Sequence, residues 1–226
     1  IVGVGNVGSK VKALAETYGM NILLNDPPRA KIEGNLEYVS MQDIMEECDI
    51  ITFHVPLIKD GCYKTWHLGD KHFFESLKRK PIIINTSRGE VLNTEALLSA
   101  LNVGKITSSI IDVWENEPCI NKGLLQEAII TTPHIAGYSA DGKANATRMS
   151  LEALCKHFNL PADFEIIPPF PPETQIMANS MEEALIRIYD PRIDSAKLKS
   201  QPELFEWFRG SYPLRREKRA YEFIIS

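Results

Sequence analysis

The 226-residue chain lacks any apolar run near the roughly 20 residues needed to span a bilayer. It also lacks a charged start leading into an apolar core and a small-residue cleavage site, so membrane and secretory classes drop out. Cysteine is sparse: Cys48, Cys62, Cys119 and Cys155 form neither a CxxC pair nor a Cys/His cluster with zinc-ligand spacing. They read as free thiols in a reducing cytoplasm, and no metal is expected. A basic face is missing too. The net charge of -5 comes from interspersed acids and bases, which speaks against nucleic acid as a partner. The short basic run from Leu214 to Arg219 reads as a solvated helix face. No internal repeat or low-complexity segment is visible. There is no initiating methionine, and Ile1 already lies inside what reads as a strand, so an N-terminal part is expected to precede it.

With 44% hydrophobic residues, the chain can bury one full α/β domain and a smaller second unit. From Ile1 to Thr132, short β-branched runs alternate with stretches of helical period, the pattern of a doubly wound parallel sheet. The strand runs are Ile1 to Val4, Ile22 to Asn25, Asp49 to Val55, Pro81 to Thr86, Ser108 to Val113 and Ala128 to Thr132. Helices are expected at Val7 to Tyr18, Met41 to Glu47, Asp70 to Leu77 and Thr94 to Asn102, with Ser40, Asp70 and Asn93 as N-caps and Gly104 as a stop. The first unit is placed at 1–138, a helix at 139–160, and a linker at 161–172, where Pro168, Pro169, Pro171 and Pro172 crowd together. Residues 173–226 read as a small, partial α+β unit, with helices at Met181 to Tyr189 and Glu203 to Phe208 and a strand at Arg219 to Ser226.

Gly3, Gly5 and Gly8 form G-x-G-x-x-G between an apolar strand and an amphipathic helix opened by Asn6 and Val7. In that setting the glycines permit a tight turn, close approach of a pyrophosphate and close helix–sheet packing, and the helix N-terminus supplies free N–H groups. Asp26 ends the next strand, where a carboxylate can bind adenosine ribose hydroxyls and repel a 2'-phosphate, so NAD is preferred to NADP, with Arg29 arguing the other way.

Three polar segments then follow strands: Asn85 to Gly89, Asp112 to Pro118 and Pro133 to Gly137. Hydride transfer from a 2-hydroxy acid needs a base, a cation for the carboxylate and an anchor for the nicotinamide carboxamide. His134 suits the base, Glu117 would fix its tautomer, Arg88 offers a two-pronged donor to the carboxylate, and Asp112 can accept from the carboxamide. Each of these residues taken alone is more often structural or solvated. His54, His67, His72 and His157 read as structural or surface residues, and Trp66, Trp114 and Trp207 as packing groups.

Together the four segments resemble the signature set of the D-2-hydroxyacid dehydrogenase family, over about two thirds of the chain. The resemblance implies a Rossmann NAD-binding domain, with Arg88, Glu117 and His134 catalytic and Asp26, Asp112 and Gly137 at NAD contacts. Val55, Pro56, Thr86 and Ser87 complete the expected cofactor contacts, Val55 by its backbone alone. The stretches Asp26 to Ala30, Lys59 to Thr65, His134 to Ala144 and Tyr189 to Arg192 resemble a branch of that family acting on a phosphorylated 2-hydroxy acid. That implies substrate contact by Tyr138 alongside Arg88 and His134, and a homodimer formed through the unit after the linker. It also implies that substrate-domain loops holding carboxylate and phosphate lie before the glycine motif. Two readings stay open beside it: another D-2-hydroxyacid dehydrogenase, of phosphoglycerate, glyoxylate or lactate type, and a nucleotide-sensing corepressor on the same fold.

Overall fold

A computed structural model describes residues 1–34 and 37–226. In chain order the elements are α1 (Asn6–Thr17), α2 (Pro27–Glu33), α3 (Met41–Glu47), β1 (Ile50–Phe53), α4 (Lys71–Ser76), β2 (Ile82–Asn85), α5 (Thr94–Asn102) and β3 (Ser108–Ile111). There follow α6 (Lys122–Glu127), β4 (Ile130–Thr131), α7 (Ala140–Phe158), β5 (Gln175–Ala178), α8 (Met181–Ile188), α9 (Pro191–Ser200), α10 (Phe205–Gly210) and β6 (Glu222–Ile225). Strands β1 to β4 form one parallel sheet in sequence order.

The first two expected strands appear only as isolated parallel bridges: Val2 to both Asn25 and Phe53, and Leu24 to Tyr38. Backbone bonds nevertheless carry the sheet across them, from Val2 N to Thr52 O (2.9 Å), Gly3 N to Asn25 O (2.8 Å) and His54 N to Val2 O (2.7 Å). The spatial order is therefore the segments at Tyr38, Leu24 and Val2, then β1 to β4. The chain reverses direction of travel across the sheet between Val2 and β1, the crevice where doubly wound sheets bind ligands.

Local chemistry explains most helix starts. Ser40 and Asp43 form a capping box on α3, and Asp70, Asn93, Asn121 and Ser139 each accept a bond from a backbone N–H of the first turn they cap. Gly104 stops the α5 region at φ +67. The main core gathers Ile51, Phe53, Ile83 and Ile111 of the sheet with Phe73, Phe74, Leu97 and Leu125 of the helices. A smaller cluster of Ile1, Val4 and Leu24 packs with Val11 of α1.

Residues after the proline segment contribute to the same core. Leu198 and Phe205 are fully buried in the main cluster, and Ser195 Oγ accepts from Thr131 N at 3.0 Å, so α9 covers the edge at β4. β5 and β6 pair in parallel beside α8 as a separate two-stranded sheet. All four cysteines are free, and among the described residues no helix is long and apolar enough to cross a membrane.

Candidate active site

The register pairs Phe53 with Asn85, Asn85 with Ile111, and Ile111 with Thr131. The carboxyl ends of β1 to β4 are thereby level, and the residues that follow them share one rim.

At the reversal point Gly3 sits at φ +85, and a Cβ there would meet His54 O at 2.7 Å. A Cβ on Gly8 would stand 2.0 Å from Gly3 O, so both glycines are required by the protein's own packing. Gly5 differs: nothing lies within 4 Å of its added Cβ. It is the N-cap of α1 and gives that helix no side-chain cap, leaving the first N–H groups, beside Asn6 and Val7, aimed outward. Asp26 accepts from Val4 N at 2.8 Å and from Arg29 N at 3.1 Å, which ties the glycine turn to the start of α2. Arg29 is committed to Glu33, at 2.7 Å, and to Val4 O, and so is not held ready for a 2'-phosphate.

A cavity of about 890 Å³ opens here, lined by Gly3, Gly5, Asp26, Val55 and Pro56 among the expected residues. Lys31, His54, Tyr63 and Thr65 line it as well. Burial holds the His54 imidazole down to about 4, so it is neutral at physiological pH, and its Nε2 pairs with Thr52 Oγ1 at 2.9 Å. The size, the unobstructed Gly5 and the uncapped helix suit a dinucleotide.

Further along the rim, Asn85 is buried and its side chain accepts from Ser87 N and Oγ and donates to Arg88 O. Ser87 is thus turned inward, while Thr86 is half-buried and Arg88 exposed. An added Cβ on Gly89 would lie 2.0 Å from the Trp114 carbonyl, which is why the Arg88 turn can press against the Asp112–Pro118 segment.

Glu117 Oε2 meets His134 Nδ1 at 2.8 Å, and its Oε1 accepts from Trp114 N at 2.9 Å. The carboxylate is fixed by backbone on one side and fixes the imidazole on the other, leaving Nε2 for a reacting proton. His134 itself is held at φ 57, an uncommon conformation for a non-glycine residue. Asp112 supports that turn from below: buried, it accepts from Thr132 Oγ1 (2.6 Å), Ile135 N (2.8 Å) and Ala136 N (3.0 Å). Burial raises its pKa despite those bonds. Three of about four carboxylate lone-pair positions are occupied, so its main use is shaping the His134 turn.

The tail completes this corner, and the basic run is not a solvated helix face. Arg215 donates to Ile135 O (2.6 Å) and Ala136 O (3.1 Å), and Ala140 N donates to Arg215 O at 2.7 Å. Arg216 and Arg219 converge on the buried Asp141, and Arg216 holds that carboxyl down at about 2. Gly137 is exposed, and Tyr138 lies half-buried between α7 and α10 under Lys143 and Arg209.

Residues 1–136 match the family model described as D-isomer specific 2-hydroxyacid dehydrogenase, NAD binding domain. The chain belongs to this family. Two similar relatives are the erythronate-4-phosphate dehydrogenases of Bacteroides thetaiotaomicron, 61% identical over 99% of this chain and 64% of that one, and of Porphyromonas gingivalis, 43% identical over 99% and 63%. This dehydrogenase-family chain therefore spans a little under two thirds of the length of the curated relatives it matches. Among solved structures it resembles the D-mandelate dehydrogenase of Rhodotorula graminis, with TM-score 0.60 and 26% identity over 74% of this chain and 51% of that one. It also resembles the D-lactate dehydrogenase of Aquifex aeolicus complexed with NAD and lactic acid, with TM-score 0.58 and 27% identity over 70% and 52%.

Sequence reasoning passed over a second histidine–carboxylate pair. His67 Nε2 meets Glu115 Oε1 at 2.7 Å, and Glu115 Oε2 accepts from Thr94 N at 2.7 Å. Burial opposes ionisation of Glu115, but these bonds outweigh it and lower its pKa. The partners lie 48 residues apart, and nothing local in the sequence joins them. Of the tryptophans, Trp114 packs in the core, whereas Trp66 stacks on His67 and Trp207 is exposed.

Proposed function

We propose that the whole protein oxidises erythronate 4-phosphate to 2-oxo-3-hydroxy-4-phosphobutanoate, a step of pyridoxine and pyridoxal 5'-phosphate biosynthesis in the cytoplasm. The observation that carries this reading is the His134–Glu117 pair at 2.8 Å on the same sheet rim as the Arg88 turn and the glycine turn. The likeness to the Bacteroides and Porphyromonas enzymes supports the substrate.

NAD, when bound, supplies a two-electron hydride acceptor. Gly3, Gly5, Asn6, Val7 and Gly8 would hold its pyrophosphate, Asp26 its ribose, and Val55, Pro56, Thr86, Ser87, Asp112 and Gly137 the remainder. Arg88 binds the substrate carboxylate as a planar donor. His134 Nε2 takes the C2 hydroxyl proton as hydride leaves C2, so the substrate loses one proton and one hydride and gains a C=O bond. Glu117 keeps the proton on Nδ1 and stabilises the imidazolium that forms. Tyr138 contacts the substrate beyond C2. The same proposal includes a homodimer through residues 173–226, supported by the exposed Met177, Ile193, Trp207 and Ile225 on that segment.

The test follows NADH absorbance for the full-length enzyme with NAD and 4-phospho-D-erythronate, a carbonyl trap being present to remove product. Turnover exceeding that with 3-phosphoglycerate and D-lactate is expected. Activity confined to another 2-hydroxy acid would overturn the substrate, and tight NAD binding without any turnover would favour nucleotide sensing.

A further inference from the structure

The second histidine–carboxylate pair lies where three segments meet. His67, at φ 52, occupies the left-handed region, where a non-glycine residue stays only if its surroundings hold it. Its backbone N–H donates to Glu90 O at 2.7 Å, and two residues on Gly69 N donates to Val91 O at 3.0 Å, so this segment runs beside the residues that follow the Arg88 turn. Its ring reaches the other way, to Glu115, two residues before Glu117. Trp66 stacks on that ring, 3.7 Å between centres, and both members of the pair are largely withdrawn from solvent.

The hydrogen bonds fix which ring nitrogen carries the proton. Asn93 caps α5 by accepting from Ala96 N through its Oδ1 at 2.9 Å, which turns its amide N–H toward His67 Nδ1, 3.4 Å away. Nδ1 is therefore an acceptor, and the ring proton lies on Nε2, donated to Glu115 Oε1. The other oxygen of Glu115 holds Thr94 N at 2.7 Å, so the loop that carries Glu117 is tied to the first turn of α5. Gly89 closes the same contact from the Arg88 side, where a side chain would collide with the Trp114 carbonyl. His67 thus grips the Arg88 turn by its backbone and the Glu117 loop by its ring.

We propose that His67, acting through Glu115, is a positioning residue for hydride transfer: it holds the Glu117–His134 pair at a fixed separation from the Arg88 turn. This rests on the roles given above to Arg88, Glu117 and His134. One substrate molecule must present its carboxylate to Arg88 and its C2 hydroxyl to His134 at the same moment, and a shift of about 1 Å between the two costs on the order of 10²-fold in rate. The pair works at one remove from the reaction. Both His67 ring nitrogens and both Glu115 oxygens are already bonded within the protein.

The experiment measures kcat and KM of the full-length enzyme with NAD and 4-phospho-D-erythronate, the Kd for NADH and the melting temperature. It compares wild type, His67→Ala, His67→Gln, Glu115→Gln, Glu117→Gln and the double variant His67→Ala with Glu117→Gln. Removing the ring is expected to lower kcat by about 10- to 100-fold with the Kd for NADH unchanged, and His67→Gln, whose amide N–H can still donate to Glu115, to recover most of that loss. Glu115→Gln keeps the size and, through its oxygen, the bond from Thr94, but turns an N–H toward the Nε2–H of His67. It should match the kcat of His67→Ala at an unchanged melting temperature, which separates positioning from folding. In the Glu117→Gln background, loss of the His67 ring should cost less than about threefold, because the ring acts through Glu117. An unchanged kcat, or an equal loss in both backgrounds, overturns the proposal. Turnover of 3-phosphoglycerate or D-lactate alone sinks the substrate reading, and the same comparison is then decided on that acid. If wild type turns over no 2-hydroxy acid, the dehydrogenase reading itself fails. The proton on His134 Nδ1, followed by NMR of protein labelled in histidine nitrogen, then decides the positioning: a resonance moved or lost in Glu115→Gln supports it, and one unchanged overturns it.

Discussion

At the scale of single residues, the three motif glycines make separable demands. Gly8→Ala forces a methyl to within 2.0 Å of the Gly3 carbonyl and is expected to lower the melting temperature sharply. Gly5→Ala meets no protein atom, so the melt should be unchanged while NADH affinity, read by fluorescence titration, falls by about tenfold or more. His134, proposed above as the base, makes a different prediction. His134→Ala in the full-length enzyme should cost about 10² to 10⁴ in kcat with NADH affinity retained. Glu117→Gln should also lower kcat strongly, because the amide has one oxygen for the two N–H donors, of Trp114 and His134, that the two carboxylate oxygens serve. Asp112→Asn tests the support of this turn: one carbonyl cannot serve three donors, and a kcat loss of roughly 10- to 100-fold is expected without unfolding.

At the scale of elements, legibility in the sequence followed the range of the forces involved. α3 and α5 have the bounds that Ser40 and Asn93 announce, because a cap and an apolar period act within a few residues. The Arg88, Glu117 and His134 segments were readable because each directly follows a strand. The tail was not: Arg215 reaches Ile135 across 80 residues, and a basic run looks alike whether solvated or paired. α9 was missed because its apolar period is weak and its burial comes from β4. The join between tail and α7 has a pH signature. Asp141 lies at about 2, below the ordinary carboxylate value, so its stabilising effect is complete above about pH 4 and is lost as pH falls through 2. Discounted for solvent around the arginines, it is worth roughly 1–2 kcal/mol. Asp141→Asn should therefore narrow the gap in urea stability between pH 6 and pH 3.

At the scale of the whole molecule, the sheet is not finished by its own strands. β4 has two residues and relies on α9 for cover, with Leu198 and Phe205 completing the core. Leu198→Ala should cost about 2–5 kcal/mol in denaturant titration, a penalty usual for a core leucine of the sheet domain itself. Ending the chain after Asn159 should give a species that loses its near-ultraviolet circular dichroism and binds hydrophobic dye. The bond from Arg215 to the turn after His134 has a further consequence during synthesis. At about 5–20 residues per second, the ribosome adds Arg215 roughly 4–16 s after it adds Ile135. Through that interval the nascent chain holds a nearly complete nucleotide fold whose His134 turn has no brace, so the geometry of that turn is set late in translation.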